Sequence, residues 1–331
     1  MRPGAVLGVD IGGTSVTADL VTCDGVSLEA RRRPTGHGDA ALDTLASLLV
    51  ECAGMAATHG VQLQGIGVLS PGHVEEVSGV VHFASNLGWR EVPLAAALRR
   101  IPEIAEVPLT VGHDVRWAGI AEGTFGAARD ARDYAVLSIG TGIAACLVAD
   151  GAVLSGATGS AGEVGHATVV ADGDLCACGR RGCLDAYASG GGLLRRYAAR
   201  SGRSDVDSVA ELVAARDHDH DARVVWDEGV DALAAGLCTL IMTIDPAVIS
   251  LVGGVSRAGV ALTQQLGERL SAEAGWKSVP PLVVSPLHAM SGRAGAVLLG
   301  MQSAGCEKHA ATWSAQDVSA WGRSPHAEGA R

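Results

Sequence analysis

At 331 residues the chain has room for two domains of ordinary size. Apolar residues make up 48% of it and aromatic residues only 3%, so the interior must be built from Ala, Val and Leu, which allow close helix packing. A formal net charge of −11 argues against a nucleic-acid surface, because such a partner needs a basic face to displace counterions from phosphates. The N-terminus offers only a short polar lead, Met1 to Gly4, with no signal-peptide core, and no segment is read as approaching the length of a membrane span; the chain is expected to be cytoplasmic, with no membrane partner.

The first element is the apolar run Val6 to Asp10, read as a buried strand. A glycine turn, Ile11-Gly-Gly-Thr14, leads to a second strand over Ser15 to Cys23, and Asp24-Gly25 turns the chain into a third from Val26 to Arg33. Leu42, Leu45, Leu49, Cys52 and Met55 recur at helical spacing and predict a helix over Asp39 to His59. A strand at Gly65 to Leu69, a Ser70-Pro71-Gly72 turn, a short helix near Val92 to Arg100 and a strand at Leu109 to Val111 complete an alternating α/β region. A second strand pair, Tyr134 to Ile139 and Ile143 to Ala149, turns through Gly140-Thr141-Gly142 and closes at Asp150-Gly151, echoing the opening. It is either an unrelated hairpin or a second copy of a nucleotide-binding fold. Helices are predicted around Leu184 to Arg200, Val206 to Ala215 and Asp221 to Thr243. A strand over Ala247 to Val252 runs into Gly253-Gly254, followed by a helix from Ser256 to Ala274 and a last one from Ala294 to Ser303. The stretch from Cys306 to Arg331 lacks an apolar period and is read as loosely ordered.

Three glycine turns, Gly12-Gly13-Thr14, Gly140-Thr141-Gly142 and Gly253-Gly254, each follow an apolar strand. Without Cβ atoms, such turns let backbone N–H groups approach phosphate oxygens, and threonine hydroxyls add donors. Neither the P-loop pattern nor Gly-x-Gly-x-x-Gly occurs at these strand ends, which disfavours those nucleotide folds. Asp10 ends a strand beside the first turn, where it either holds Mg²⁺ through water or caps the turn. Asp114 sits where a strand gives way to a helix, as a base for an attacking hydroxyl or as a plain helix cap. His166 with Cys176-Ala-Cys178-Gly-Arg-Arg-Gly-Cys183 offers three thiolates and an imidazole, a closed tetrahedral set for structural Zn²⁺.

These motifs resemble the ROK family of repressors, uncharacterised frames and kinases, within the sugar kinase, Hsp70 and actin superfamily. The resemblance runs from about Val6 to Met301. Asp10-Ile-Gly-Gly-Thr14 is similar to its first phosphate motif, Leu137 to His166 to its signature, Cys176 to Cys183 to its zinc motif, and Leu251-Val-Gly-Gly-Val-Ser256 to its adenosine motif. It implies an α/β, two-domain actin-like ATPase fold with duplicated ribonuclease H-like domains. The small domain would take 1–115 with a C-terminal helix at 291–305, and the large domain 116–290, leaving 306–331 as a tail. It also implies a homodimeric kinase using ATP and Mg²⁺, with Asp10, Gly12 to Thr14, Gly140 to Gly142, Gly253 and Gly254 around the nucleotide. Asp114 would be the catalytic base, and Ser70, Gly72, Asn86, His113, Glu163, His166 and Asp185 would join it around the sugar. Two positions depart from the family's glucose pattern: His113 stands where Asn is usual, and Asp185 where Glu is usual. Both would touch hydroxyls, so glucose itself is not the expected acceptor: a hexose relative is, with a C7 cyclitol bearing an exocyclic hydroxymethyl as the alternative. The repressors of this family carry a helix-turn-helix module ahead of the first phosphate motif, which here begins at Asp10, and a sensor without catalysis would not need Asp10, Asp114 and all three turns.

Overall fold

The computed structural model describes residues 3–321. Its chain divides into two compact units, the first holding Ser155–Ser160 besides 3–126 and 289–321, the second holding Ala127–Leu154 and Ala161–His288.

In the first unit a five-stranded sheet forms from β1 (Gly4–Ile11), β2 (Ser15–Thr22), β3 (Ser27–Pro34) and β4 (Gln62–Ser70), with a three-stranded sheet of β5 (His73–Glu75), β6 (Val80–Ala84) and β7 (Trp89–Val92) beside it. β8 (Leu109–His113) completes the larger sheet, whose order is β3-β2-β1-β4-β8. The first three strands pair antiparallel, while β1, β4 and β8 run parallel. Helices α1 (Asp39–Thr58), α2 (Leu94–Leu98) and α3 (Asp114–Phe125) belong to this unit. β1 is central and its run Ala5-Val6-Leu7-Gly8-Val9 is buried on both faces, as a strand covered on both sides requires. The small sheet of β5, β6 and β7 has no counterpart in the sequence reading: its strands are too short for a period-2 pattern to register.

The reading that no segment approaches membrane-span length needs correction: α1 has 20 residues and enough apolar character to cross a bilayer by composition. In the fold it buries Ala41, Leu45, Leu48, Leu49, Cys52 and Ala56 in the same core as β1 and β4.

The second unit repeats the strand order. β9 (Tyr134–Ile139), β10 (Ile143–Ala149), β11 (Ala152–Val153), β12 (Val248–Val252) and β13 (Leu282–Val284) form a sheet ordered β11-β10-β9-β12-β13, with β9, β12 and β13 parallel. The opening hairpin and its echo are therefore two copies of one topology. The helix expected over Leu184 to Arg200 is two, α4 (Leu184–Ala188) and α5 (Gly190–Ser201), because Ser189 leaves the helical path and its Oγ accepts from Gly192 N at 2.9 Å as an N-cap. α6 (Val209–Ala215) and the 25-residue α7 (His220–Ile244) follow, with α8 (Val260–Glu273) starting four residues later than read because Gly259 takes φ +60°.

The chain then returns to the first unit with α9 (Met290–Ser303), which lies against β1, β4 and β8 and against α3. This contact is close because Gly67 has no side chain: a Cβ there would run into the Ala296 carbonyl and the Gly300 amide. Because α3 packs on α9, it falls in the first unit rather than with the residues beyond 115. Residues 306–321 are folded, where the sequence reads loose. They form a 3-10 turn and α10 (Ala315–Ala320), and bury Trp313 and Trp321; Trp313 stacks on Phe125 at 5.9 Å and meets Trp321 edge-on at 5.5 Å. The expected looseness beyond 321 falls outside the described residues.

Candidate functional site

The parallel register brings the first unit's chemistry to one sheet edge. Asp10 lies opposite Leu69 and Ser70 opposite His113, so the C-terminal ends of β1, β4 and β8 present Asp10, Ser70, His113 and Asp114 side by side. Crevices at such strand ends are where open α/β sheets bind ligands. The Gly12 to Thr14 turn joins β1 to β2 at the same edge, pinned by Thr35 Oγ1 donating to Gly12 O at 2.7 Å and by Thr35 N donating to Thr14 O at 3.1 Å. Asn86 reaches this turn: a Cβ on Gly13 would stand 3.2 Å from its Nδ2. Gly72 tucks under Phe83 O, and the Ser70 hydroxyl donates to Pro71 O at 3.1 Å.

Charge is concentrated here. Burial, then the nearby Asp114 and Asp19, push Asp10 up to about 7, while Arg293 pulls the other way. Asp19, fully buried in β2, is raised by burial against the opposing pull of Arg293, whose Nε donates to it at 2.8 Å and whose NH2 pairs with its other oxygen. Asp114 Oδ1 accepts from Val115 N at 2.7 Å, which fixes one oxygen and orients the carboxylate. The N-cap of α3 is His113, whose Nδ1 accepts from Arg116 N at 3.2 Å, so Asp114 is the first helical residue and not the cap that the sequence allowed. Sequence reasoning missed Asp19 and Arg293; the signals were a lone acid in an apolar strand and a lone Arg at the start of an Ala/Gly/Leu helix.

In the second unit β9 and β12 are parallel neighbours, so the Gly140 to Gly142 and Gly253-Gly254 turns share an edge. Gly140 N donates to Gly142 O at 2.9 Å, and Ile143 N donates to Asp185 Oδ1 at 2.7 Å, which places Asp185 against the turn. Burial raises the Asp185 carboxyl, opposed by that N–H, by His166 and by Arg195. Gly253 takes φ +94° and sits over Ile139 O, a conformation and an approach that a side chain would forbid.

The third cluster is the predicted metal set. One ligand atom from each of His166, Cys176, Cys178 and Cys183 lies within 4.8 Å of the others. Cys178 Sγ and Cys183 Sγ are 3.7 Å apart, and Cys176 Sγ and His166 Nδ1 3.8 Å. A tetrahedron with zinc–sulfur bonds of about 2.3 Å has edges of about 3.8 Å, which this donor set fits. The Arg180 N–H lowers the Cys178 thiol, whereas burial raises Cys176 and Cys183. Glu163 precedes the 3-10 turn Val164–His166, and its carbonyl accepts from His166 N at 3.1 Å.

Two sheets of one strand order, each opening with a strand, a glycine turn and an antiparallel return, define the actin-like ATPase fold. Within it the ROK family pattern matches residues 6–303, and the chain belongs to the ROK family. It is 31% identical over 285 residues to a glucokinase of Halalkalibacterium halodurans, covering 81% of this chain and 86% of the relative. It is 32% identical over 308 residues to a kanosamine kinase of Amycolatopsis mediterranei, covering 90% and 97%. The crystal structure of a ROK glucokinase from Streptomyces griseus with glucose and AMPPNP superposes with a TM-score of 0.76 at 28% identity, over 90% of this chain and all (100%) of that one.

Proposed function

We propose that this protein is an ATP-dependent kinase that phosphorylates the primary exocyclic hydroxyl of a hexose or hexose-like polyol. The observation that carries this reading is Asp114, an oriented carboxylate at the end of a parallel strand beside Asp10 and the Gly12 to Thr14 turn. The glucokinase and kanosamine kinase relatives support the reaction class. The phosphates of ATP would rest on the backbone amides of Gly12 to Thr14 and Gly140 to Gly142, and the adenosine near Gly253 and Gly254. These turns suit a ligand, since a Cβ added at Gly140 or Gly254 would meet nothing within 4 Å. Asp10, its negative charge disfavoured by burial and by neighbouring acids, would hold Mg²⁺ through water, and that ion would neutralise charge on the transferred group. Asp114 accepts the proton of the attacking hydroxyl. Ser70, Gly72, Asn86, His113, Glu163, His166 and Asp185 would bind the acceptor. Zn²⁺ on His166, Cys176, Cys178 and Cys183 would be structural, fixing the loop that carries Glu163.

A second reading, a C7-cyclitol kinase, is favoured by His113. Its Nδ1 accepts from Arg116 N at 3.2 Å, so its ring proton sits on Nε2, and an imidazole there satisfies a different hydroxyl pattern from an Asn amide. ADP release measured against glucose, mannose, N-acetylhexosamines, kanosamine and C7 cyclitols separates the two. Strong preference for glucose refutes the cyclitol reading, and no turnover with any acceptor refutes the kinase. Sedimentation tests the expected homodimer, and fractionation of cells the expected cytoplasmic location.

A further inference from the structure

Arg116 stands where helix electrostatics disfavour it. It is the third residue of α3, at the positive end of the helix dipole, and it is only 8% exposed. Two side-chain contacts offset that placement: its Nη1 pairs with Glu76 Oε1 and its Nη2 donates to Gly159 O at 2.8 Å. Its backbone N–H separately donates to His113 Nδ1 at 3.2 Å. Glu76 Oε1 also accepts from His113 N at 3.1 Å. One carboxylate oxygen thus holds both the residue just before Asp114 and the guanidinium on its far side. The Gly159 carbonyl belongs to Ser155–Ser160, a strap of the first unit whose preceding carbonyl, Thr158 O, lies 2.7 Å from His73 Nε2. The chain runs from the end of that strap directly through Ala161 and Gly162 to Glu163.

We propose that Arg116 is a positioning residue for phosphoryl acceptance, fixing through Glu76 the backbone that carries Asp114 and through Gly159 the strap that leads to Glu163. This rests on the kinase reading above. A planar fork is needed because the guanidinium must reach a carboxylate and a carbonyl at once, in different directions, which the compact ammonium of Lys cannot reproduce. Loss of the fork leaves the base chemically intact and misplaces it, and misplacement by about 1 Å costs on the order of 10²-fold in rate.

The test uses the full chain and the best acceptor from the panel, comparing Arg116→Met, Arg116→Lys, Glu76→Gln and the double variant Arg116→Met/Glu76→Gln. Arg116→Met should lower kcat/KM for the acceptor by about 10- to 100-fold while the KM for ATP stays put, and Arg116→Lys should recover only part of the loss. Glu76→Gln, which preserves volume, should share the loss, and the double variant should be little worse than either single one because both act through one network. Wild-type acceptor kinetics in Arg116→Met or Glu76→Gln overturns the proposal, as does a double variant whose losses add in full. If Arg116→Met does not fold, Glu76→Gln decides alone. A wild-type chain that turns over no acceptor refutes the kinase reading and this inference with it, whereas an active wild type with unaffected variants refutes the role of Arg116 only.

Discussion

The two five-stranded sheets share an order and differ in what stands at the ends of their parallel strands. In the first, Asp10 is the last residue but one of β1 and β8 hands over to Asp114; in the second, the places that match by topology are Ser138, two residues before Gly140, and Ser285 after β13. The first edge carries acids in tension, with Asp10 raised and Asp19 held against Arg293. The second edge is a pair of glycine turns with the Asp185 carboxylate against one of them, and its unit adds the cluster of His166, Cys176, Cys178 and Cys183. One scaffold thus carries a carboxylate at both of these strand ends in one copy and a serine at both in the other.

Breaking the second unit's brace should have the largest effect. Structural zinc is worth on the order of 10–16 kcal/mol of apparent binding energy in zinc-finger peptides. With the proposed zinc on His166, Cys176, Cys178 and Cys183, Cys183→Ser, or a strong chelator, should sharply lower the thermal unfolding temperature as bound zinc falls to none by elemental analysis. Next, Asp114→Asn should cut kcat by about 10² to 10⁴-fold. Acceptor binding by calorimetry and thermal stability should change little, since the amide oxygen can still accept from Val115 N. Third, Arg293→Met strands the buried Asp19 without its counter-ion and should cost about 3–5 kcal/mol in chemical denaturation, where a surface pair would cost under about 1 kcal/mol.

The last effect is a pH slope, to which Asp10 contributes in the first unit. Asp10 titrates near 7 in the folded, metal-free chain against an ordinary 3.8, so between those values the folded state binds more protons than the unfolded. This contribution therefore favours folding most below about pH 4 and weakens as pH rises towards 7. Asp10→Ser, which copies the second sheet, should flatten that slope in denaturation curves taken across this range, and added Mg²⁺ should flatten it in the wild type.

Legibility followed sequence distance. The strand–glycine turn–strand units at 6–22 and 134–149 could be read because register and turn lie within a few residues of each other, and the repeat was visible as a repeat. The break at Ser189 was hidden because α4 and α5 are apolar on both sides of it, although Ser-Gly-Gly-Gly was a local cue. Asp114 could be located but its role stayed ambiguous, since a strand-to-helix junction looks alike for a cap and for a base; its nearness to Asp10 is what distinguishes the position.

The sequence by itself determined the two hairpins and the cysteine knuckle, because each is set by spacing along a short piece of chain; the departures at His113 and Asp185 were legible only against the family resemblance. Only the tertiary structure decided the Asp19–Arg293 pair, whose members are 274 residues apart, the Glu76–Arg116–Gly159 network, and the seating of Trp313 on Phe125. Those contacts exist because α9 and the segment after it return to the first sheet and because the strap joins the first unit. No local pattern encodes a partner that arrives from the far end of the chain.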